Sequence, residues 1–268
     1  MILFPNAKIN IGLNIIEKRP DNYHNIESVF MPIPLCDVLE VVEAKETTLH
    51  LSGIPIDGDS NDNLIMKAYR LMKDEYDLPP VEIHLEKIIP FGAGIGGGSA
   101  DAAFTLKALN ELFKLNLNSG LLKQMAAKIG ADCSFFIDNT PSYVIGIGEI
   151  LEPIELNLKG KFLVLVKPDD HISTKEAYAN IHPRKPKLSI KETIHYPISE
   201  WKGNIQNDFE ESVFPQHPKV VDIKEKLYKL GADYASMTGS GSSVFGLFSE
   251  EVDIAEKFRE EFYWCCRL

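Results

Sequence analysis

The segment Ile-Pro-Phe-Gly-Ala-Gly-Ile-Gly-Gly-Gly-Ser-Ala-Asp-Ala-Ala, residues 89 to 103, constrains this chain more than any other. Five glycines fall within seven positions, between an apolar-leading stretch at Val81–Ile89 and a helical pattern. That helix carries Ala103, Leu106, Leu109, Leu112 and Phe113 on its apolar face. Glycine has no Cβ, so it enters positive φ freely and lets backbone N–H groups come close to a ligand. The helix N-terminus adds the positive end of its dipole. Strand, loop and helix together read as an anion cradle, best suited to the phosphates of a nucleotide. No Gly-Lys-Ser/Thr closes the run, so it is not a Walker A loop. Gly92-x-Gly94-x-x-Gly97 matches a dinucleotide fingerprint, but the chain around Leu117–Gly120 lacks the second strand and acidic residue that fingerprint needs. A glycine-rich surface turn is the bland alternative.

A chain of 268 residues accommodates two modest domains or one large one. The net charge of −11, with no cluster of Lys and Arg, speaks against a nucleic-acid-binding surface. No apolar run reaches membrane-spanning length, and no signal peptide pattern opens the chain. Cys36, Cys133, Cys265 and Cys266 lack metal-ligand spacing and read as reduced thiols. The expectation is a cytoplasmic protein with no membrane partner, a monomer or weak homodimer.

Other segments are informative one by one. From Lys8 to Ile15 polarity alternates, giving a strand with Ile9, Ile11, Leu13 and Ile15 in the core and Lys8, Asn10 and Asn14 opposite. On pattern alone that polar face is solvated. Tyr23-His24 closes a turn and leads into strand-like Ile26–Met31. Leu64–Tyr76 reads as an amphipathic helix burying Leu64, Met66, Ala68, Leu71 and Met72, introduced by the cap-rich run Asp59-Ser60-Asn61-Asp62-Asn63. A further helix over Leu121–Ile129, with Leu122, Met125, Ala126 and Ile129 as its stripe, stops at Gly130. Asp132 follows, ahead of a buried-looking strand at Phe135–Ile137; a turn-forming role for it is as good as a chemical one. Phe162–Val166 reads as a buried strand, and a short helix holds Tyr178. His182–Lys187 and His195–Pro197 are surface excursions. A second Gly/Ser loop, Met237-Thr238-Gly239-Ser240-Gly241, runs into an apolar strand and is flanked by helices at Val220–Leu230 and Val252–Phe262.

The glycine run with its Ser-x-Asp-Ala-Ala ending, together with Ala7-Lys8-Ile9-Asn10, Tyr23-His24, Gly130-Ala131-Asp132 and Met237–Gly241, resembles the GHMP kinases. The order and spacing of these motifs are more specific than any one of them, and they span nearly the whole chain. The resemblance implies a two-domain α+β fold, a ribosomal S5 domain 2-like part at 1–154 for the nucleotide and a ferredoxin-like part at 155–268 for the acceptor. It implies ATP and Mg²⁺, with Pro90, Phe91, Gly92, Ala93, Gly94, Ile95, Gly96, Gly97, Gly98, Ser99 and Ala100 around the nucleotide. The metal ligands are not identified by sequence, Ser99 being the best loop hydroxyl. Lys8 and Asp132 fall on the family's catalytic pair. Asn10, Tyr23, His24, Thr174, Tyr178, Thr238, Gly239 and Ser240 would face the acceptor. The longer glycine run and Tyr23-His24 resemble most the members acting on 4-diphosphocytidyl-2-C-methyl-D-erythritol, with Tyr23 and Tyr178 sandwiching cytosine and His24 making polar contacts. Three departures stand out: Asn22 for the usual glycine, Cys133-Ser134 for valine and proline, and Ala100 for a serine. A homoserine or mevalonate kinase, or a silent nucleotide-binding regulator, stay open as alternatives.

Overall fold

The computed structural model describes residues 1–55 and 62–268. Of the expected cap run, Asp59, Ser60 and Asn61 lie outside the described residues; Asn63 does cap the next helix, its side chain accepting from the Ile65 N–H. The chain begins β1 (Ile2–Leu3), β2 (Asn6–Lys18), β3 (His24–Cys36), β4 (Val38–Glu43), β5 (Thr48–Gly53), α1 (Leu64–Tyr76) and β6 (Val81–Lys87). It continues α2 (Gly97–Leu112), α3 (Ser119–Ile129), α4 (Phe135–Asp138), β7 (Ser142–Gly146), β8 (Ile150–Pro153) and β9 (Phe162–Lys167). Then come α5 (Thr174–Ala179), α6 (Ile190–Thr193), α7 (Phe209–Val213), α8 (Pro218–Lys229), β10 (Tyr234–Met237), β11 (Val244–Phe248) and β12 (Phe262–Arg267). The mixed α+β composition is the one expected. No helix among the described residues is long and apolar enough to cross a membrane.

Two compact units are interleaved in sequence. One comprises Met1–Ala7, Pro34–Phe91 and Gly96–Thr140; the other comprises Lys8–Ile33, Gly92–Ile95 and Pro141–Leu268. The expected single break between residues 154 and 155 does not describe these units.

The first unit holds a sheet of order β1-β4-β6-β5, antiparallel except for the β5–β6 pair. Leu39, Val41, Ile83 and Leu85 point inward by strict alternation. The β5–α1–β6 crossover makes the parallel pair possible. Helix α1 buries Ile65, Ala68, Tyr69 and Met72, so the buried stripe is shifted from the expected one, leaving Leu64, Met66 and Leu71 half-buried. Helix α2 is buried around most of its girth, through Ala100, Ala102, Ala103, Leu106, Ala108 and Leu109. Its small side chains let neighbours close in on every side. It also starts inside the glycine run, at Gly97. Phe135–Ile137 is a helical turn and not a strand, ended by Asn139 at φ 55°. A three-residue apolar run is buried in either conformation, so periodicity alone could not separate them.

The second unit carries two sheets, of order β2-β3-β7-β8 and β10-β11-β9-β12. Val164, Val166, Val220, Ile223, Leu227, Val244 and Phe248 share its core with Leu13 and Ile15. The helix expected over Val252–Phe262 is absent: only a 3-10 turn forms at Ala255–Lys257. The chain then becomes β12, which pairs with β9 from Phe262↔Lys167 to Arg267↔Phe162. Aromatic residues at Phe262, Tyr263 and Trp264 favour a pleated, half-buried surface, and β9 offers a free edge for six backbone partners.

Candidate active site

Within the first unit the glycine run delivers a helix end. Gly96, at φ 73°, is the N-cap of α2, and no side chain caps it. A residue with a Cβ is strained there, and the first-turn N–H groups stay available to an anion. Ser99, in that first turn, hydrogen-bonds the Cys133 thiol, and the Asp132 charge lies close enough to act on the same thiol. Burial pushes Cys133 up to about 12, against the Ser99 hydrogen bond and with help from Asp132. Cys133 is therefore an inert, protonated packing group. Asp132 itself sits in a 3-10 turn, Ala131–Ser134, between α3 and α4.

Beneath the loop lies a buried charge cluster that sequence reasoning missed. The Lys87 ammonium donates to Asp37 at 2.5 Å and to Asp101 at 2.7 Å, and all three side chains are at most 4% exposed. Asp37 also accepts from the Ile88 and Ile89 backbone N–H groups at 2.6 and 2.8 Å. The end of β6 and the second turn of α2 are thus tied to one point. A Cβ on Gly97 would come within 2.7 Å of Ile89 and 3.1 Å of the Lys87 ammonium, which explains a glycine there. Two carboxylates against one ammonium leave excess negative charge. Burial raises the Asp101 pKa to about 7, Lys87 opposing and Asp37 reinforcing the rise.

That rise has a pH signature. Folded Asp101 keeps its proton up to about 7, whereas an unfolded aspartate releases its own near about 4. The folded state therefore binds more protons in that window, and stability falls as pH rises through it. Asp101→Asn removes the titration and keeps the shape. Urea unfolding should show the variant gaining on the wild type by about 1 kcal/mol per pH unit between roughly pH 5 and 7, then levelling. A difference that does not move with pH would rule out a buried carboxyl that protonates.

In the second unit the polar face of β2 is not solvated, contrary to its pattern: Lys8, Asn10 and Asn14 are buried. The side chains of Lys8 and Asn10 are satisfied internally. The Lys8 ammonium donates to Asn10 Oδ1 at 2.5 Å and lies 4.4 Å from the Phe30 ring centroid. Asn10 Nδ2 donates to Ser28 Oγ at 3.0 Å, and that hydroxyl donates to the Gly12 carbonyl at 2.6 Å. The Asn10 amide N–H donates to Thr238 Oγ1 at 2.9 Å. Thr238 is wholly buried, its hydroxyl donating in turn to the Gly94 carbonyl at 3.3 Å. Gly94 and Gly239 meet backbone to backbone: a Cβ on Gly94 would lie 2.2 Å from the Thr238 carbonyl oxygen. Asn207 holds the Thr238–Ser240 turn by donating to the Met237 and Gly239 carbonyls at 2.8 and 2.9 Å. Lys8, Asn10, Gly94 and Thr238 are thus one hydrogen-bonded group, with Gly239 packed against Gly94 and half-buried Ser240 beside it.

The aromatic residues of the second unit form their own cluster. His24 stacks on Tyr178, centroids 4.8 Å apart at 19°, and Phe209 meets Tyr178 edge-on. Partial burial and the Lys18 charge lower the His24 pKa, favouring a neutral ring with one donor and one acceptor. Tyr23 is 59% exposed, and Asn22 takes the left-handed turn at φ 68° without glycine. Thr174 opens α5 at the surface, with Ser173 capping it. Among the loop residues Pro90 is buried and Phe91 exposed. Ser28, Phe30 and Asn207 carried no sequence signal beyond polarity or apolarity. Asp101 sat in plain view in the Ser-x-Asp motif, but its partners at 37 and 87 are too far away in sequence to suggest a cluster.

Two family models match, GHMP kinases N terminal domain over residues 63–144 and GHMP kinases C terminal over residues 197–263. The chain is 57% identical over 260 residues to a 4-diphosphocytidyl-2-C-methyl-D-erythritol kinase of Bacteroides fragilis, covering 96% of this chain and 95% of that protein. It is 42% identical to the kinase of the same name from Chlorobium phaeobacteroides, covering 96% and 93%. A crystal structure of 4-(cytidine 5'-diphospho)-2C-methyl-D-erythritol kinase superposes with a TM-score of 0.84 at 30% identity, covering 99% and 98%. A mevalonate kinase superposes at 0.75 with 16% identity over 100% and 98%, a likeness of fold alone. With the glycine run ending in a helix start, the buried Lys8–Asn10 pair and both domain matches in the expected order, the chain belongs to the GHMP kinases.

Proposed function

We propose that this protein transfers the γ-phosphoryl group of ATP to the 2-hydroxyl of 4-diphosphocytidyl-2-C-methyl-D-erythritol, a step of the non-mevalonate isoprenoid pathway. The observation that carries the reading is identity above 50% over nearly the full length with kinases of that name. The His24–Tyr178 stack supports the cytidine end of the substrate, because a pyrimidine needs an aromatic face and a neutral polar edge. Phosphoryl transfer asks the protein chiefly to position groups and neutralise charge. In our reading the α2 N-terminus and the glycine run hold the phosphates, Lys8 holds the acceptor hydroxyl and stabilises its charge, and Asp132 takes its proton. Asn10 orients Lys8 through their hydrogen bond. The Ser99 hydroxyl is a hard oxygen donor, the kind that suits Mg²⁺ alongside phosphate oxygens and water. When bound, that ion neutralises phosphate charge. Four free thiols fit a cytoplasmic location.

A coupled ATPase assay over a panel of acceptors tests this. The cytidine-diphosphate-linked polyol should be phosphorylated, and the same polyol without cytidine, homoserine and mevalonate ignored. Tyr23→Ala should cost about 1–3 kcal/mol in kcat/KM, the worth of one base-stacking contact, and mostly in KM because the base is remote from the transferred group. Equal turnover of homoserine or mevalonate would leave only the family standing.

A further inference from the structure

Outside the kinase machinery, the solvent face of the first unit's sheet gathers metal-ligating side chains. His50 on β5 and His84 on β6 are direct register partners in the parallel pair. Glu82 lies two residues before His84 and so on the same face. Both imidazoles address one carboxylate oxygen: His84 Nε2 is 3.0 Å and His50 Nε2 3.3 Å from Glu82 Oε1. The rings stack with centroids 4.7 Å apart. One potential ligand atom from each of the three residues falls within 4.8 Å of the others. Glu40 on β4 pairs with His84 from the opposite side, bringing a second carboxylate to the same row of the sheet.

We propose that His50, Glu82 and His84 form a surface site for a divalent transition-metal cation of the zinc type, pinning edge strand β5 to β6. The geometry is close to what such an ion needs. Bonds of about 2.0–2.1 Å in a tetrahedron place neighbouring ligand atoms roughly 3.3–3.4 Å apart. The two nitrogen–oxygen separations, 3.0 and 3.3 Å, lie near that edge length, and a turn of the stacked rings about their side-chain bonds aims both nitrogens at one ion. Two imidazoles and one carboxylate suit zinc, nickel or copper, whereas magnesium prefers an all-oxygen shell. Three protein ligands leave a fourth position for water. The backbone supplies the preorganisation: strand register, not a flexible loop, fixes the spacing of the two histidines. Hydrogen bonding within the cluster does not compete strongly, because all three side chains are about half exposed and can trade it for metal bonds.

Isothermal titration of Zn²⁺ into the full chain without nucleotide, at about pH 7.5, tests the site. The wild type should bind one equivalent that His50→Ala and His84→Ala each weaken by at least about tenfold, already the low end of what losing even an outer-shell partner does. Glu82→Gln should weaken it too. Mg²⁺ should not occupy the site. Zinc should raise the urea midpoint of the wild type and leave that of His84→Ala unmoved, since a ligand stabilises only a state it binds. Unchanged midpoints without zinc would show that the variants fold. No zinc binding by the wild type, or equal binding by both histidine variants (as if the cysteines were the ligands), overturns the proposal.

Discussion

Lys87→Met is expected to destabilise the protein by about 3–5 kcal/mol, the usual cost of stripping one partner from a buried ion cluster. Methionine fills nearly the same volume, so the loss is electrostatic and not a cavity effect. Asp37 and Asp101 would be left facing each other, Asp37 wholly buried and Asp101 nearly so. Asp37 keeps its two backbone donors at Ile88 and Ile89, so the destabilisation falls chiefly on Asp101. A protonated Asp101 relieves most of it, so the loss should be smaller at about pH 5 than at about pH 8. In an Asp101→Asn background, Lys87→Met should cost markedly less, a coupling that a double-mutant cycle reads directly. Both tryptophans, Trp201 and Trp264, belong to the second compact unit, whereas Lys87 belongs to the first. Circular dichroism and tryptophan fluorescence together therefore report whether the units unfold as one. An unfolding free energy within about 1 kcal/mol of the wild type would mean the cluster contributes little beyond what a surface pair does.

What was legible in the sequence divides along physical lines. Local backbone demands were readable: the glycine run announced a turn with positive φ and a helix start, and Asn22 announced a left-handed turn. Periodicity located β2 and its faces. It could not say what covers each face, so the buried row of Lys8, Asn10 and Asn14 passed for a solvated one. Burial of a polar face is decided by elements far away in sequence, and here Thr238 supplies the partner for an amide at Asn10. The same limit hid the Lys87 cluster, whose members come from β6, α2 and the β3–β4 junction. Short apolar runs were ambiguous in the other direction. Phe135–Ile137 became a helical turn, and the C-terminal stretch became an edge strand because β9 had an open side. The family resemblance assigned roles to motif residues that periodicity left undecided, Asp132 above all. It was silent on His50, Glu82 and His84, which belong to the surface of this chain and to none of those motifs.

Asp132→Asn is expected to lower kcat by roughly 10²–10⁴-fold, or about 2.7–5.5 kcal/mol of transition-state stabilisation, the span of a positioned general base. Asparagine keeps the size and one acceptor oxygen but cannot take a proton. The 3-10 turn at Ala131–Ser134 should survive, because it is held by backbone bonds such as the Cys133 N–H to the Gly130 carbonyl. Affinity for a non-hydrolysable ATP analogue should hardly change, since in our reading the phosphates rest on the α2 N-terminus. The size of the drop separates two roles. Near the lower end Asp132 mainly orients the hydroxyl, as a reaction dominated by positioning allows; near the upper end it accepts the proton. Lys8→Gln supplies the cross-check. If Lys8 and Asp132 act on one hydroxyl, the double variant should lose far less than the product of the two single losses, because groups that act as a unit are strongly non-additive. Fully multiplicative losses would separate their roles. Near-normal turnover in a folded Asp132→Asn variant, with an unaltered urea midpoint, would remove Asp132 from the chemistry altogether.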